Sequence, residues 1–146
     1  MAVRDYHGEQ ITVHYDVERC RHIGECVRGD PLVFDPGRRP WILADAHPDA
    51  EHVAEVVRRC PTGALHYTLK DGPAETPDPR TTVTVVPDGP LLVRGDLRID
   101  LGDGTPDEGA AASTVTTETR AALCRCGSSA NKPYCDGSHE EVGWTA

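Results

Sequence analysis

The sequence is poor both in what builds a large core and in what grips polyanions. Aromatic residues fill only 5% of the 146 positions, and lysine occurs only at Lys70 and Lys132. There are 15 basic against 24 acidic residues, for a formal net charge of -9, and the arginines are scattered rather than gathered into a stripe. That pattern excludes a nucleic-acid partner. No long apolar run opens the chain: Met1 to Gln10 is charged, so neither a secretory signal nor a membrane span is expected, and the chain is read as cytoplasmic. A Gly-rich phosphate loop, a nucleophile motif and a flavin or nicotinamide fingerprint are also missing, as is a convergent set of acids and bases. The expectation is therefore a protein that is not an enzyme.

What the chain has instead is 12 prolines, 14 glycines and 6 cysteines. Thin cores and many turns call for staples, which in small domains are disulfides or metals. In a reducing compartment disulfides rarely persist, so clustered cysteines point to metal binding or redox chemistry.

Along the chain, Ile11, Val13, Tyr15 and Val17 alternate with polar residues, the period of a strand with one buried face, and lead straight to Cys20. Leu32 to Leu43 carries a turn at Asp35-Pro36-Gly37 and reads as a hairpin. Ala50, Val53, Ala54 and Val57 mark one face of a helix, with Pro48 suited to its first position and Pro61 ending it just after Cys60. Ala64 to Leu69 reads as a closing strand. Asp71 to Arg80 holds three prolines, one glycine and three acidic residues and looks like a linker. Beyond it, Thr81 to Val86, Leu91 to Val93, Leu97 to Leu101 and Thr114 to Leu123 are β-rich runs, with a polar loop from Gly102 to Ser113.

The carboxyl end concentrates the chemistry. Cys124, Cys126, Cys135 and His139 fall within sixteen residues. Two irons bridged by sulfides need two protein ligands apiece, which the Cys-x-Cys pair and the Cys135–His139 pair would supply. Three cysteines and a histidine are equally a structural zinc set, although zinc pairs usually stand two to four residues apart. Gly127 and Gly137 would let backbone amides approach the sulfurs.

The run from Cys124 through Arg-Cys-Gly-Ser-Ser-Ala-Asn-Lys-Pro-Tyr to Cys135-Asp-Gly-Ser-His139 resembles the CDGSH iron-sulfur domain of the mitoNEET family at every signature position. The resemblance extends upstream to Gly89-Pro-Leu-Leu-Val-Arg-Gly. It implies a 2Fe-2S cluster held by Cys124, Cys126, Cys135 and His139. A histidine ligand leaves one ring nitrogen to take up a proton, so a pH-dependent potential is expected.

In the first half, Cys20 and Cys26 form Cys-x5-Cys, followed by Cys60-Pro61. A bacterial ferredoxin has Cys-x2-Cys-x2-Cys with a distant Cys-Pro, so Ile23 stands where the middle ligand belongs. Residues 10 to 70 resemble the divergent single-cluster ferredoxin domain, and Cys60-Pro-Thr-Gly-Ala-Leu65 resembles the ferredoxin ending. Three thiolates favour a 3Fe-4S cluster. The alternative is a 4Fe-4S cluster whose fourth iron takes solvent or His22.

The expected fold is α+β, a ferredoxin-like N-terminal domain (1–72), a linker (73–80) and a small β-rich CDGSH domain (81–146). A homodimer is within the CDGSH resemblance. The expected role is electron transfer with a redox partner such as a reductase or oxidase, an acidic surface docking on a basic one and no membrane involved. The competing roles are a redox sensor or cluster donor and a structural zinc module. His7, His14, His47, His52 and His66 have no partner at ligand spacing, and Trp41 and Trp144 read as packing residues.

Overall fold

The computed structural model describes residues 3–72, 75–101 and 115–146. Its first sheet is antiparallel, in the order β1 (Val3–His7), β2 (Ile11–Asp16), β3 (Leu65–Leu69). On the central strand β2, Ile11, Val13 and Tyr15 are buried while Thr12, His14 and Asp16 are partly exposed, the alternation read from the sequence. β1 is a strand the sequence did not announce. Its residues are mostly exposed and charged, and its order comes from pairing with β2.

The buried face of β2 meets helix α2 (Ala50–Arg58), which presents Val53, Ala54, Val56 and Val57. Burying each such valine contributes about 1.5–3 kcal/mol. The helix starts two residues later than Pro48 suggested: Asp49 is the cap, its side chain accepting from the Glu51 N–H at 3.0 Å, and Pro48 lies outside. Between the elements, the hairpin expected over Leu32 to Leu43 shrinks to one bridge, Phe34 to Ile42. Pro36 and Pro40 remove donors that a ladder would use. The Arg38 guanidinium takes over, donating to the carbonyls of Leu32 and Val33. A short helix, α1 (Glu25–Gly29), precedes this segment.

The second sheet is also antiparallel, β4 (Thr82–Val85), β5 (Leu91–Asp100), β6 (Val115–Leu123). The two runs expected at Leu91 to Val93 and Leu97 to Leu101 join as a single strand, kinked between Arg94 and Leu97. Gly95 allows the kink: at φ +146° it lies against Thr81, where a Cβ would collide. The loop expected over Gly102 to Ser113 and the start of β6 at Thr114 lie outside the described residues. Among its described residues, this half buries only Val93, Ala121, Ala122 and Cys135 of the apolar ones. A core so small is what a metal centre would reinforce. The chain is thus α+β, as the sequence indicates.

Arginines from the second sheet stitch the halves together. The last carbonyls of any helix lack intrahelical donors. Here Arg94 on β5 donates to the Arg58 carbonyl at 2.8 Å, and Arg120 on β6 donates to those of Val57 and Cys60, both at 2.7 Å. Their positive charge also suits the negative end of α2.

Candidate metal centres

Cys20 follows the turn after β2, Cys26 sits on α1 and Cys60 lies two residues past α2, so three separate elements deliver the thiols. All three line one cavity of about 730 Å³ and all are free. His22 and Ile23 line the same cavity. The backbone of His22 is left-handed (φ 53°), which directs its N–H to Cys20 Sγ at 3.4 Å and leaves its ring Nδ1 3.8 Å from that sulfur. Amide donation to sulfur is what a thiolate bound to iron requires.

The three thiols are not equivalent. Burial pushes Cys26 up to about 11. Burial also acts to raise Cys60, but the Thr62 hydroxyl and the Arg120 guanidinium outweigh it and hold the thiol below its ordinary value. The Tyr15 hydroxyl, buried and in contact with Cys20, is driven up. The mouth of the cavity carries Arg4, Arg21, Arg28 and Arg39 against one carboxylate, Glu25, so residues scattered in sequence form a positive rim on an acidic chain.

The second centre sits beyond β6. Cys124 Sγ and Cys126 Sγ are 3.7 Å apart, and Cys135 Sγ is 3.6 Å from His139 Nδ1. All four residues line one small cavity. Gly127, at φ 80°, turns its N–H to Cys124 Sγ at 3.3 Å, and the Ser128 N–H meets Cys126 Sγ at 3.3 Å. Burial would raise Cys124, yet the amides of Ser129 and Gly127 hold it below its usual value. Cys135 is raised, chiefly by burial.

The loop is set by Asp136. Its Oδ2 accepts from the Ala130 N–H at 2.8 Å, and its Oδ1 accepts the Ser138 N–H at 3.0 Å and hydroxyl at 2.6 Å. These bonds lower the carboxyl to about 2. The thiol groups, the amides aimed at them and the free state of every cysteine fit iron–sulfur centres. His139, on the short helix α3 (Ser138–Glu141), turns Nδ1 to the Cys135 thiol.

Three arginines run between the two centres. Arg19, adjacent to Cys20, stacks on the ring of Tyr134, adjacent to Cys135, at 4.2 Å. Its guanidinium also donates to Glu118 at 2.8 Å and to the carbonyls of Thr62 and Arg120. Arg21 lies against Gly137, where any Cβ would strike its guanidinium. Arg120, only 2% exposed, reaches Leu65 O at 2.6 Å, Glu75 Oε1 at 2.5 Å and His66. Glu75 and Glu118 in turn flank His66, at 2.8 and 3.7 Å. Within this network Glu75 and Glu118 are lowered and His66 is raised; burial opposes each shift, and the opposite charges prevail.

None of these seam residues was legible as functional. Glu75 lies inside the stretch read as a linker, and Arg19 and Arg120 meet across 101 positions. The other histidines fall in three settings. His66 joins the buried network, while His47 and His52 stack with ring centroids 4.3 Å apart beside Asp30. His7 and His14 make surface contacts with Thr12 and Asp5. Trp41 packs on Tyr15 and Phe34, and Trp144 lies under the Arg125 guanidinium, as packing residues should.

Two pockets of this kind define an iron–sulfur-binding protein with one centre in each half. Residues 6–70 match the family model of the divergent 4Fe-4S mono-cluster, and residues 88–140 match that of the iron-binding zinc finger, CDGSH type. The chain is 43% identical over 67 residues to the uncharacterized protein YjdI of Escherichia coli strain K12 and to its counterpart in strain O157:H7. Each alignment covers 46% of this chain and 87% of the relative. The chain belongs to the divergent 4Fe-4S mono-cluster family and joins that domain to a CDGSH domain. No solved structure matches it.

Proposed function

We propose that the chain carries single electrons between protein partners through two centres: a 3Fe-4S cluster on Cys20, Cys26 and Cys60, and a 2Fe-2S cluster on Cys124, Cys126, Cys135 and His139. Clusters with different ligand sets have different potentials, so one chain would offer two one-electron steps. The observation that carries the reading is the seam. Arg19, next to Cys20, stacks on Tyr134, next to Cys135; Arg21, also next to Cys20, lies against Gly137; and Arg120, four positions before Cys124, donates to the Cys60 carbonyl, so side chains from beside each cysteine set reach across to the other half.

The residues do the tuning. Amides of His22, Gly127 and Ser128 donate to ligand sulfurs and favour the more negative, reduced state. Arg120, against the Cys60 carbonyl, adds positive charge on the same side. The arginine rim at the N-terminal cavity supports a partner with an acidic docking face there, opposite to what the net charge of the chain suggests. A second reading of the first cluster, 4Fe-4S with His22 as fourth ligand, is supported by the position of its ring beside Cys20.

The test is reduction of the anaerobic holo-protein by substoichiometric one-electron donor, followed in both clusters by EPR. Electrons that redistribute between the centres within the dead time of mixing support carriage. A C-terminal cluster that instead moves to an apo-ferredoxin, with no electron exchange, would favour a cluster donor.

A further inference from the structure

Outside both cysteine sets, the loop after α1 and the start of α2 bring together Asp30, His47 and His52. One candidate ligand atom from each lies within 4.8 Å of the others. Asp30 is 3% exposed and anchored by one oxygen only: Oδ1 accepts the N–H groups of Leu32 at 3.0 Å and Val33 at 3.2 Å. Its Oδ2 is buried without a hydrogen-bond partner, 3.4 Å from His52 Nε2. A buried carboxylate oxygen left bare costs free energy unless a cation answers it.

Two imidazoles face that oxygen with their rings stacked. Were both protonated, two like charges would sit on rings whose centroids are 4.3 Å apart, so protonation of both is a poor way to satisfy Asp30. A shared metal ion satisfies all three at once. His47 Nδ1 accepts the Asp49 N–H at 3.0 Å and lies 3.3 Å from the Asp49 carbonyl, so binding an ion through Nε2 would place the ring proton on Nδ1, toward that carbonyl. Two ligands bonded at about 2.0–2.2 Å to a tetrahedral ion stand about 3.3 Å apart, close to the separation of His52 Nε2 and Asp30 Oδ2.

We infer that Asp30, His47 and His52 form a third metal site, a mononuclear one for a borderline divalent ion of the zinc class, with water completing the coordination. Two imidazoles and a carboxylate suit such ions better than calcium or magnesium, which prefer all-oxygen shells. Both histidines are partly exposed, which gives the ion a route in. The site would clamp α1 to α2. Because the Asp30 N–H bonds to the Cys26 carbonyl at 3.0 Å, the clamp acts on the segment that presents Cys26.

The experiment is a titration of anaerobic holo-protein, previously dialysed against a chelator, with zinc ion by calorimetry, with iron content and the visible spectrum recorded before and after. The expected result is about one zinc bound per chain with iron retained, and at least a tenfold loss of affinity in H47A/H52A. D30N should behave alike. If D30N misfolds, the double histidine variant, altered only at partly exposed positions, decides alone. Absence of binding, equal binding by H47A/H52A, or uptake matched by loss of iron would each overturn the site.

Discussion

The guanidinium of Arg120 donates to the carbonyl of Cys60 at 2.7 Å, so a residue four positions before Cys124 fixes the backbone of Cys60, in the other half of the chain. The bond crosses 60 positions of sequence. It makes the two halves of the chain one electrostatic unit, in which a change of charge at either centre is felt across a buried arginine rather than across water.

Removing Arg120 should therefore cost more than a surface charge. R120A leaves Glu75 buried beside His66 and strips donors from Val57, Cys60 and Leu65, and a loss of about 3–5 kcal/mol is expected on breaking a buried pair of this kind. Chemical denaturation of holo-protein measures it. The exposed pair Arg28–Glu25 provides the control, since R28A should cost at most about 1 kcal/mol.

The same network sets a pH window. Glu75 and Glu118 titrate below the ordinary 4.5 in the folded chain, so their contribution is present above 4.5 and is lost as pH falls through their folded values. His66 titrates above the ordinary 6.5, so its contribution is full below 6.5 and is lost as pH rises through its folded value. The network is strongest between these limits. The stability difference between wild type and H66Q should be largest at about pH 6 and shrink as pH rises through the folded value of His66, on denaturation curves taken at each pH; a difference that grows with pH would be the wrong sign.

Ile23 lines the N-terminal cavity and stands where the Cys-x2-Cys-x2-Cys spacing would put its middle cysteine. I23C should add about one iron per chain, completing a four-iron cluster where three thiolates held three irons. Iron analysis with EPR reads the change. If wild type already carries the extra iron, H22A should remove it, because the His22 ring is the neighbour available to hold it.

His139 presents Nδ1 to Cys135, and a ring bound to iron through that atom would keep its second nitrogen for a proton. H139C replaces a neutral ligand by a thiolate, so the C-terminal potential should fall and its dependence on pH should flatten. Protein-film voltammetry across a pH series measures both. An unchanged slope would remove His139 from the ligand set.

How much of this was legible follows from distance along the chain. Cys124, Cys126, Cys135 and His139 sit in one short run and Cys60 carries its proline, so local pattern sufficed to single them out as candidates, and the 3.6-residue period of Val53, Ala54 and Val57 sufficed for α2. The hairpin at 32–43 was misread because turn chemistry at Asp35 is visible while the donors lost at Pro36 and Pro40 weaken the ladder. Arg19, Arg120, Glu75 and the trio of Asp30, His47 and His52 acquire partners only through tertiary packing, and no spacing rule reaches them. Glu75 shows the cost of reading composition alone: its surroundings look like a tether, yet its side chain is 6% exposed and pinned between Arg120 and His66.

The central claim is that seven side chains, Cys20, Cys26, Cys60, Cys124, Cys126, Cys135 and His139, hold inorganic iron and sulfide. Quantifying iron, acid-labile sulfide and zinc in anaerobically purified protein tests it most directly. The account predicts a coloured protein with about five irons per chain, or about six if the first cluster is 4Fe-4S, and a matching complement of sulfide. A colourless protein with stoichiometric zinc at the cysteine sites and no labile sulfide would contradict it.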